Sequence, residues 1–218
     1  MIHILIADDH PIMRDGLKQI LSAFNDIIVT GEASNGDEVL AAIHAKKFDV
    51  LVLDMSMPGK SGIELIKQIR IEKPELPILI LSMHKEAQYV VRSLKAGAAG
   101  YLCKDGASHQ LVQAIRQIAG GGLFVSEEAA GHLVQALTGK APAVTPHSRL
   151  SDREFEIFQM IVHGQSVSEI ASELSLSVKT VSTHKTRILE KMEMHNTAEL
   201  VRYAMRHNLT DADGNNGV

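Results

Sequence analysis

One cysteine in 218 residues, Cys103, excludes an internal disulfide framework and fits a reducing compartment. No apolar run approaches the roughly 18 residues that a membrane-spanning helix needs. The opening MIHILIA is too short for a signal-peptide core and meets charge at once, so no export signal is visible. A glycine-rich turn after the first apolar run is also missing, which argues against a dinucleotide fold. Nor is there a basic excess: the formal net charge is −4. That average hides a local pattern. In SVKTVSTHKTRILEK (177–191), Lys179, Lys185, Arg187 and Lys191 stand against Glu190 alone. With 45% hydrophobic and 22% charged residues, the composition is that of a soluble, cytoplasmic globular chain with room for two domains.

The first 120 residues alternate between two periods. Strand-like runs occur at 3–7, 27–33, 49–54, 77–82 and 100–103, and segments of helical spacing at 11–24, 36–46, 61–73, 86–96 and 107–119. Short unbroken β-formers between amphipathic helices predict an α/β doubly wound, five-stranded parallel sheet covered on both faces. SGIE (61–64) is a capping-box pattern that starts the third helix. The reading places a first domain at 1–122 and a linker with a short helix at 123–147, since TGKAPAVTPHS is aperiodic and holds two prolines. A small all-α domain follows at 148–210, with a disordered tail at 211–218. SDRE (151–154), SVSE (166–169) and NTAE (196–199) mark three of its helix starts.

Two strands end on acid. LIADD delivers Asp8 and Asp9, and LVLD delivers Asp54, to the carboxyl edge of the sheet, where such folds bind ligands. If the strands are neighbours, three carboxylates crowd one shallow bowl and repel. A hard divalent cation, Mg2+, relieves the conflict and welcomes phosphate oxygens. Ser82 closes the fourth strand with a hydroxyl and Lys104 the fifth with an ammonium. A nucleophilic carboxylate, a cation, a lysine and a hydroxyl make an aspartyl-phosphate site. Each feature taken alone reads as turn or cap chemistry; their convergence on strand ends is what favours a site.

ADDHP, LVLDMSMPGKSG, ILSM and AGAAGYLCKD resemble the receiver-domain motifs of NarL/FixJ-family two-component response regulators, over about residues 1–120. The resemblance implies that Asp54 accepts phosphate from a sensor histidine kinase. It also implies that Asp9, Asp54 and the Ser56 carbonyl bind the metal, with Asp8 acting through a metal-bound water. Lys104 would pair with the phosphoryl group, and Ser82 with Tyr101 would form a conformational switch in which Tyr101 turns inward. The sequence departs from the commonest pattern at Lys104-Asp105, where most receivers carry lysine-proline.

The C-terminal part reads as a helix pair. A first helix at 166–174 buries Ile170, Ala171 and Leu174; a tight link at Ser175-Leu176 leads to a second at 178–192 with inner residues Val178, Val181, Ile188 and Met192. Such a pair lays its second helix in the DNA major groove. Residues 148–209 resemble the LuxR-type DNA-binding domain. That resemblance implies base contacts from Ser182, Thr183 and Thr186, backbone contacts from Lys179, Thr180 and Lys185, and a homodimer seam on the last helix at Val201 and Ala204. Many relatives carry lysine where Ser182 and Thr186 stand.

The whole reads as a DNA-binding transcription factor switched by phosphorylation, not an enzyme with an external substrate, though it catalyses its own phosphotransfer and dephosphorylation. Its partners are a histidine kinase, double-stranded DNA, a second copy and RNA polymerase, with no membrane. An aspartyl phosphatase is disfavoured because position 56 is Ser rather than a second acid. A protein adaptor would lack the steep salt dependence of DNA binding.

Overall fold

The computed structural model describes residues 1–57, 62–82, 87–104, 107–126, 130, 145–207 and 209. Ser61 of the SGIE pattern, Asp105, most of the segment expected to hold a linker helix and the 211–218 tail lie outside the described residues. The chain divides into two compact units, Met1–Gly139 and Lys140–Val218.

In the first unit, β1 (Ile2–Ala7), β2 (Ile27–Ala33), β3 (Val50–Asp54), β4 (Ile78–Ser82), β5 (Gly100–Cys103) and β6 (Phe124–Val125) alternate with α1 (Pro11–Ser22), α2 (Gly36–Ala45), α3 (Gly62–Glu72), α4 (Ala87–Ala96) and α5 (Ala107–Ala119). All pairings are parallel, in the order β2-β1-β3-β4-β5-β6. Every residue of β3 and β4 is buried, as strands covered on both faces require. On one face Ile4, Ile6, Val50, Val52, Leu79 and Leu81 pack with Leu17 and Leu21 of α1 and Leu111, Ile115 and Ile118 of α5. Alternation sends Leu5, Leu51, Leu53, Ile78 and Ile80, also buried, to the other face.

Among the described residues the sheet has six strands, not the expected five. A two-residue strand is too short for periodicity to reveal, and it follows a run of three glycines. Phe124 nevertheless enters the core, so the first domain runs past residue 122 and the linker cannot begin at 123. Gly100 makes this pairing fit: a Cβ there would lie 2.9 Å from both the Phe124 carbonyl oxygen and Leu79 Cδ1.

The second unit opens on a 3-10 turn (Pro146–Arg149), followed by α6 (Asp152–Val162), α7 (Val167–Glu173), α8 (Val178–Met192) and α9 (Thr197–Arg206). Ser151 and Ser166 each complete a capping box with the glutamate three residues on. At Asn196 the box is modified: its side chain caps Glu199 N, while Glu199 reaches back to the His195 N–H. Gly164, with φ +91°, ends α6 in the left-handed conformation that glycine adopts freely. The unit reaches back before residue 148, because His147 is buried and its Nδ1 lies 2.5 Å from the Tyr203 hydroxyl on α9.

Substituting Gly100→Ala is predicted to unseat β6 and lower stability by about 1–3 kcal/mol, read from urea unfolding. An unchanged midpoint would show that β6 contributes nothing to the fold.

Candidate functional site

The strand order reverses between β1 and β3, which lie side by side with β2 to one side and β4 to the other. The carboxyl ends of β1 and β3 meet there. Ala7 pairs with Leu53, so Asp8 and Asp54 leave their strands at the same level. Both are almost wholly buried, with side chains 1% and 2% exposed. Burying two carboxylates needs a counter-charge, and Lys104 supplies it from the end of β5. Its ammonium, 8% exposed, lies 2.8 Å from Asp8 Oδ2 and 2.8 Å from Asp54 Oδ2. The remaining oxygens accept from backbone: His10 N donates to Asp8 Oδ1 at 2.8 Å and Ser56 N to Asp54 Oδ1 at 3.2 Å. Arg14, from α1, donates to the Asp8 carbonyl at 2.6 Å.

Burial is the largest influence on Asp54 and pushes its carboxyl above the usual range; Lys104 pulls it down, Asp8 raises it further and the Ser56 N–H lowers it. For Lys104, burial alone would lower the ammonium's value, but the two carboxylates together outweigh it and hold it above the ordinary lysine range.

Asp8, Asp9, His10 and Asp54 bring one ligand atom each within 4.8 Å of one another. Asp9 Oδ1 is buried and no hydrogen bond reaches it, although the His10 ring nitrogen lies 2.8 Å away at ion-pair distance. A buried carboxylate oxygen that no hydrogen bond satisfies fits a cation. Three carboxylates against one ammonium leave the bowl negative, and the three carboxylates of the set suit a hard divalent ion. The cluster is therefore able to hold a metal.

Ser82 is fully buried at the end of β4, one residue beyond the Asp54–Leu81 pairing. Tyr101, expected to turn inward on switching, is already inward at 1% exposure. It sits mid-strand in β5, and Val125 of β6 pairs with it. The inward swing thus has no outward starting point in this structure. Sequence reading missed His10 and Arg14. His10 stood in the DDHP motif, but Arg14 reaches Asp8 only because α1 folds back over the strand end, which no local pattern announces.

In the second unit Ile170, Ala171 and Leu174 are buried on α7, and Val181, Ile188 and Met192 on α8. Val178 is 51% exposed and leaves the expected inner stripe, because it is the first residue of the helix, one turn before the stripe meets α6 and α7. The turn between the helices is a Schellman-type cap. Ser175 adopts φ +52°, and the Leu176 N–H bonds the Ala171 carbonyl at 2.8 Å. Lys179, Ser182, Thr183, Thr186 and Arg187 are exposed, and Lys185 is half-buried. Thr180 is also half-buried, its hydroxyl 2.8 Å from the N-cap Ser177 hydroxyl.

Lys191 turns away from this face to bond Glu154 at 2.6 Å. Burial would push Glu154 up, but Lys191 and Ser151 hold it below the usual range. Burial, opposed by Glu154 and aided by Arg153 and Arg187, pushes His184 down. Apart from Lys191 in that ion pair, the exposed lysine and arginine of α8 are Lys179 and Arg187, with half-buried Lys185 beside them. On α9 the two residues expected on the seam lie in different surroundings. Ala204 is fully buried beside Leu200 in its own domain's core, and Val201 is half-buried. The i, i+4 spacing of Leu200 and Ala204 sends both inward and leaves Arg202, Met205 and Arg206 outside.

Because folded Asp54 keeps its proton to higher pH than the unfolded residue, ionising it costs stability as pH rises through that window. Asp54→Asn is therefore predicted to be more stable than wild type at pH 8 in chelator, by on the order of 1 kcal/mol. The gain should shrink as pH falls towards about 4. A less stable variant at pH 8 in urea titration would contradict the charge arrangement.

The response regulator receiver domain matches residues 4–116, and the bacterial regulatory proteins of the luxR family match residues 148–204. Response regulator UvrY of Escherichia coli K12 is 36% identical over 213 residues, 98% of each chain. Response regulator GacA of Pseudomonas viridiflava is 36% identical over 214 residues, 97% of this chain and 99% of its own. Among solved structures, RcsB of Salmonella enterica serovar Typhimurium, bound to promoter rprA in the presence of the phosphomimetic BeF3-, superposes with a TM-score of 0.69 and 29% identity. The match covers 93% of this chain and 97% of that one. With a carboxylate pair gripped by a buried lysine in one unit and a helix-turn-helix in the other, the chain belongs to the two-component response regulators that join a receiver domain to a LuxR-type DNA-binding domain.

Proposed function

We propose that a sensor histidine kinase transfers a phosphoryl group to Asp54, and that the phosphorylated chain pairs as a homodimer to bind two DNA half-sites through α8. The observation that carries this reading is the Asp54 carboxylate, buried at a strand end with one oxygen on the Lys104 ammonium and the other on the Ser56 N–H. An Asp54 oxygen attacks phosphorus; the new O–P bond forms as the P–N bond of phosphohistidine breaks, and its electron pair returns to the imidazole. Lys104, already 2.8 Å from Oδ2, balances charge on the transferred group. Asp9, Asp54 and the Ser56 carbonyl would hold Mg2+, with Asp8 reaching it through water. The ion supplies charge neutralisation at the phosphoryl oxygens.

The same groups then serve hydrolysis of the chain's own acyl phosphate, so the protein acts on itself and not on an external substrate. Phosphorylation adds charge and acceptor oxygens beside Ser82 and the β5 end, shifting the population of receiver conformations towards pairing. Tyr101 would respond from an inward position. The RcsB structure, DNA-bound with a phosphomimetic, supports the same coupling here. Two weak half-site contacts gain by effective concentration once joined, and RNA polymerase would be a further partner of the bound dimer. Among the described residues no helix is long and apolar enough to cross a membrane; DNA as ligand supports a cytoplasmic location.

With acetyl phosphate and Mg2+, wild type should acquire acid-stable, base-labile phosphate on Asp54 and bind a two-half-site duplex at least about tenfold tighter. Affinity should fall steeply with salt. Asp54→Asn should show neither labelling nor tightening. A variant as dimeric and as tight as wild type under phosphodonor would refute the switch.

A further inference from the structure

We infer that Thr183 and Thr186 present hydrogen-bond acceptors, and not donors, to the major groove, so that α8 favours adenine or cytosine and disfavours guanine at the positions these residues meet. The inference rests on the proposal that α8 enters that groove. A threonine hydroxyl has a single hydrogen. In Thr183 it is directed to the Lys179 carbonyl, 2.9 Å away, and in Thr186 to the Ser182 carbonyl, 3.1 Å away. Both bonds run back one helical turn, one of the two rotamer arrangements open to threonine in a helix.

The two side chains are three residues apart and exposed, so they share one outward face. With the hydrogens turned onto the helix, what remains for a ligand is oxygen lone pairs and a methyl group. On the major-groove edges, adenine N6 and cytosine N4 carry amino donors, whereas guanine offers O6 and N7, both acceptors. An acceptor-only hydroxyl meets guanine lone pair to lone pair. Donating to guanine would first require giving up the back-bond. The methyl groups add a preference for thymine methyl contact on the paired strand.

Other groups on the face differ. Ser182 makes no such back-bond among the described residues, so its hydroxyl stays free to donate. Thr180 is tied to the N-cap serine. The lysines and Arg187 are donors only and suit phosphates. Thr183 and Thr186 are therefore the residues of α8 whose local geometry fixes the sign of the base preference. Lysine in place of Thr186 would reverse that sign, since an ammonium reads guanine.

The test uses the full-length chain treated with acetyl phosphate, a randomised 20-base-pair duplex pool, and the variants Thr183→Val and Thr183→Ser. Valine keeps the shape and removes the acceptor; serine keeps the back-bond and the acceptor. Wild type should select a half-site in which one position prefers adenine or cytosine over guanine by at least about fivefold. Thr183→Val should lose that preference at that position alone, and Thr183→Ser should keep it. Replacing the selected adenine by purine, which lacks the N6 amino group, should weaken wild type and leave Thr183→Val unaffected. Guanine selected at the Thr183-dependent position, or a preference that survives valine, would overturn the inference while leaving DNA binding intact. Failure to enrich any sequence, with shallow salt dependence, would overturn the DNA reading itself.

Discussion

The structure of the first unit turns on one buried ammonium. Lys104 stands 2.8 Å from each of two carboxylates that are almost wholly removed from water. Removing that ammonium would leave two buried carboxylates without their counter-charge, a loss of about 3–5 kcal/mol. The strand order brings the three groups together. Asp8 and Asp54 come from adjacent strands, while Lys104 comes from β5, separated from β3 by β4. The side chain must reach across the end of β4, where Ser82 sits. Any change in charge on Asp54 is therefore felt by groups on three further strands, which gives a local chemical event a path to the rest of the sheet.

The second unit solves a different problem with similar means. Its helices are short, and α7 spans only seven residues, too few to be stable alone. Capping boxes at Ser151 and Ser166 satisfy their first backbone donors. Glu154 belongs to the first box and also binds Lys191 near the end of α8, so one carboxylate fastens the start of α6 to the end of the recognition helix. This ties α8 to the start of α6 and leaves the polar groups of its outer face exposed.

Much of this was legible in the sequence because the signals were local. The strands of the first sheet, the helix starts at Ser151, Ser166 and Asn196, and the turn at Ser175-Leu176 each rest on a few neighbouring residues. Convergence of Asp8 and Asp54 needed only the assumption that β1 and β3 are neighbours, which parallel crossovers favour. The failures were non-local. Two residues of β6 carry no period, and only the Gly100 edge accepts them. Ala204 was placed on a seam, but its burial depends on Leu200 and the helices around it. Val178 matched the helical stripe in phase yet lies beyond the end of the packed surface. Arg14 and the back-bonded threonines are features of three-dimensional geometry that residue type alone does not express.

The central claim is that Lys104 is the resident counter-ion of an otherwise over-charged acidic bowl, sharing those carboxylates with a divalent metal. Calorimetric titration of Mg2+ into wild type, Asp9→Asn and Lys104→Met tests it most directly. Removing the competing ammonium leaves the bowl more negative, so Lys104→Met should bind Mg2+ more tightly than wild type, and Asp9→Asn more weakly. Unchanged or weaker binding by a folded Lys104→Met protein would contradict the account.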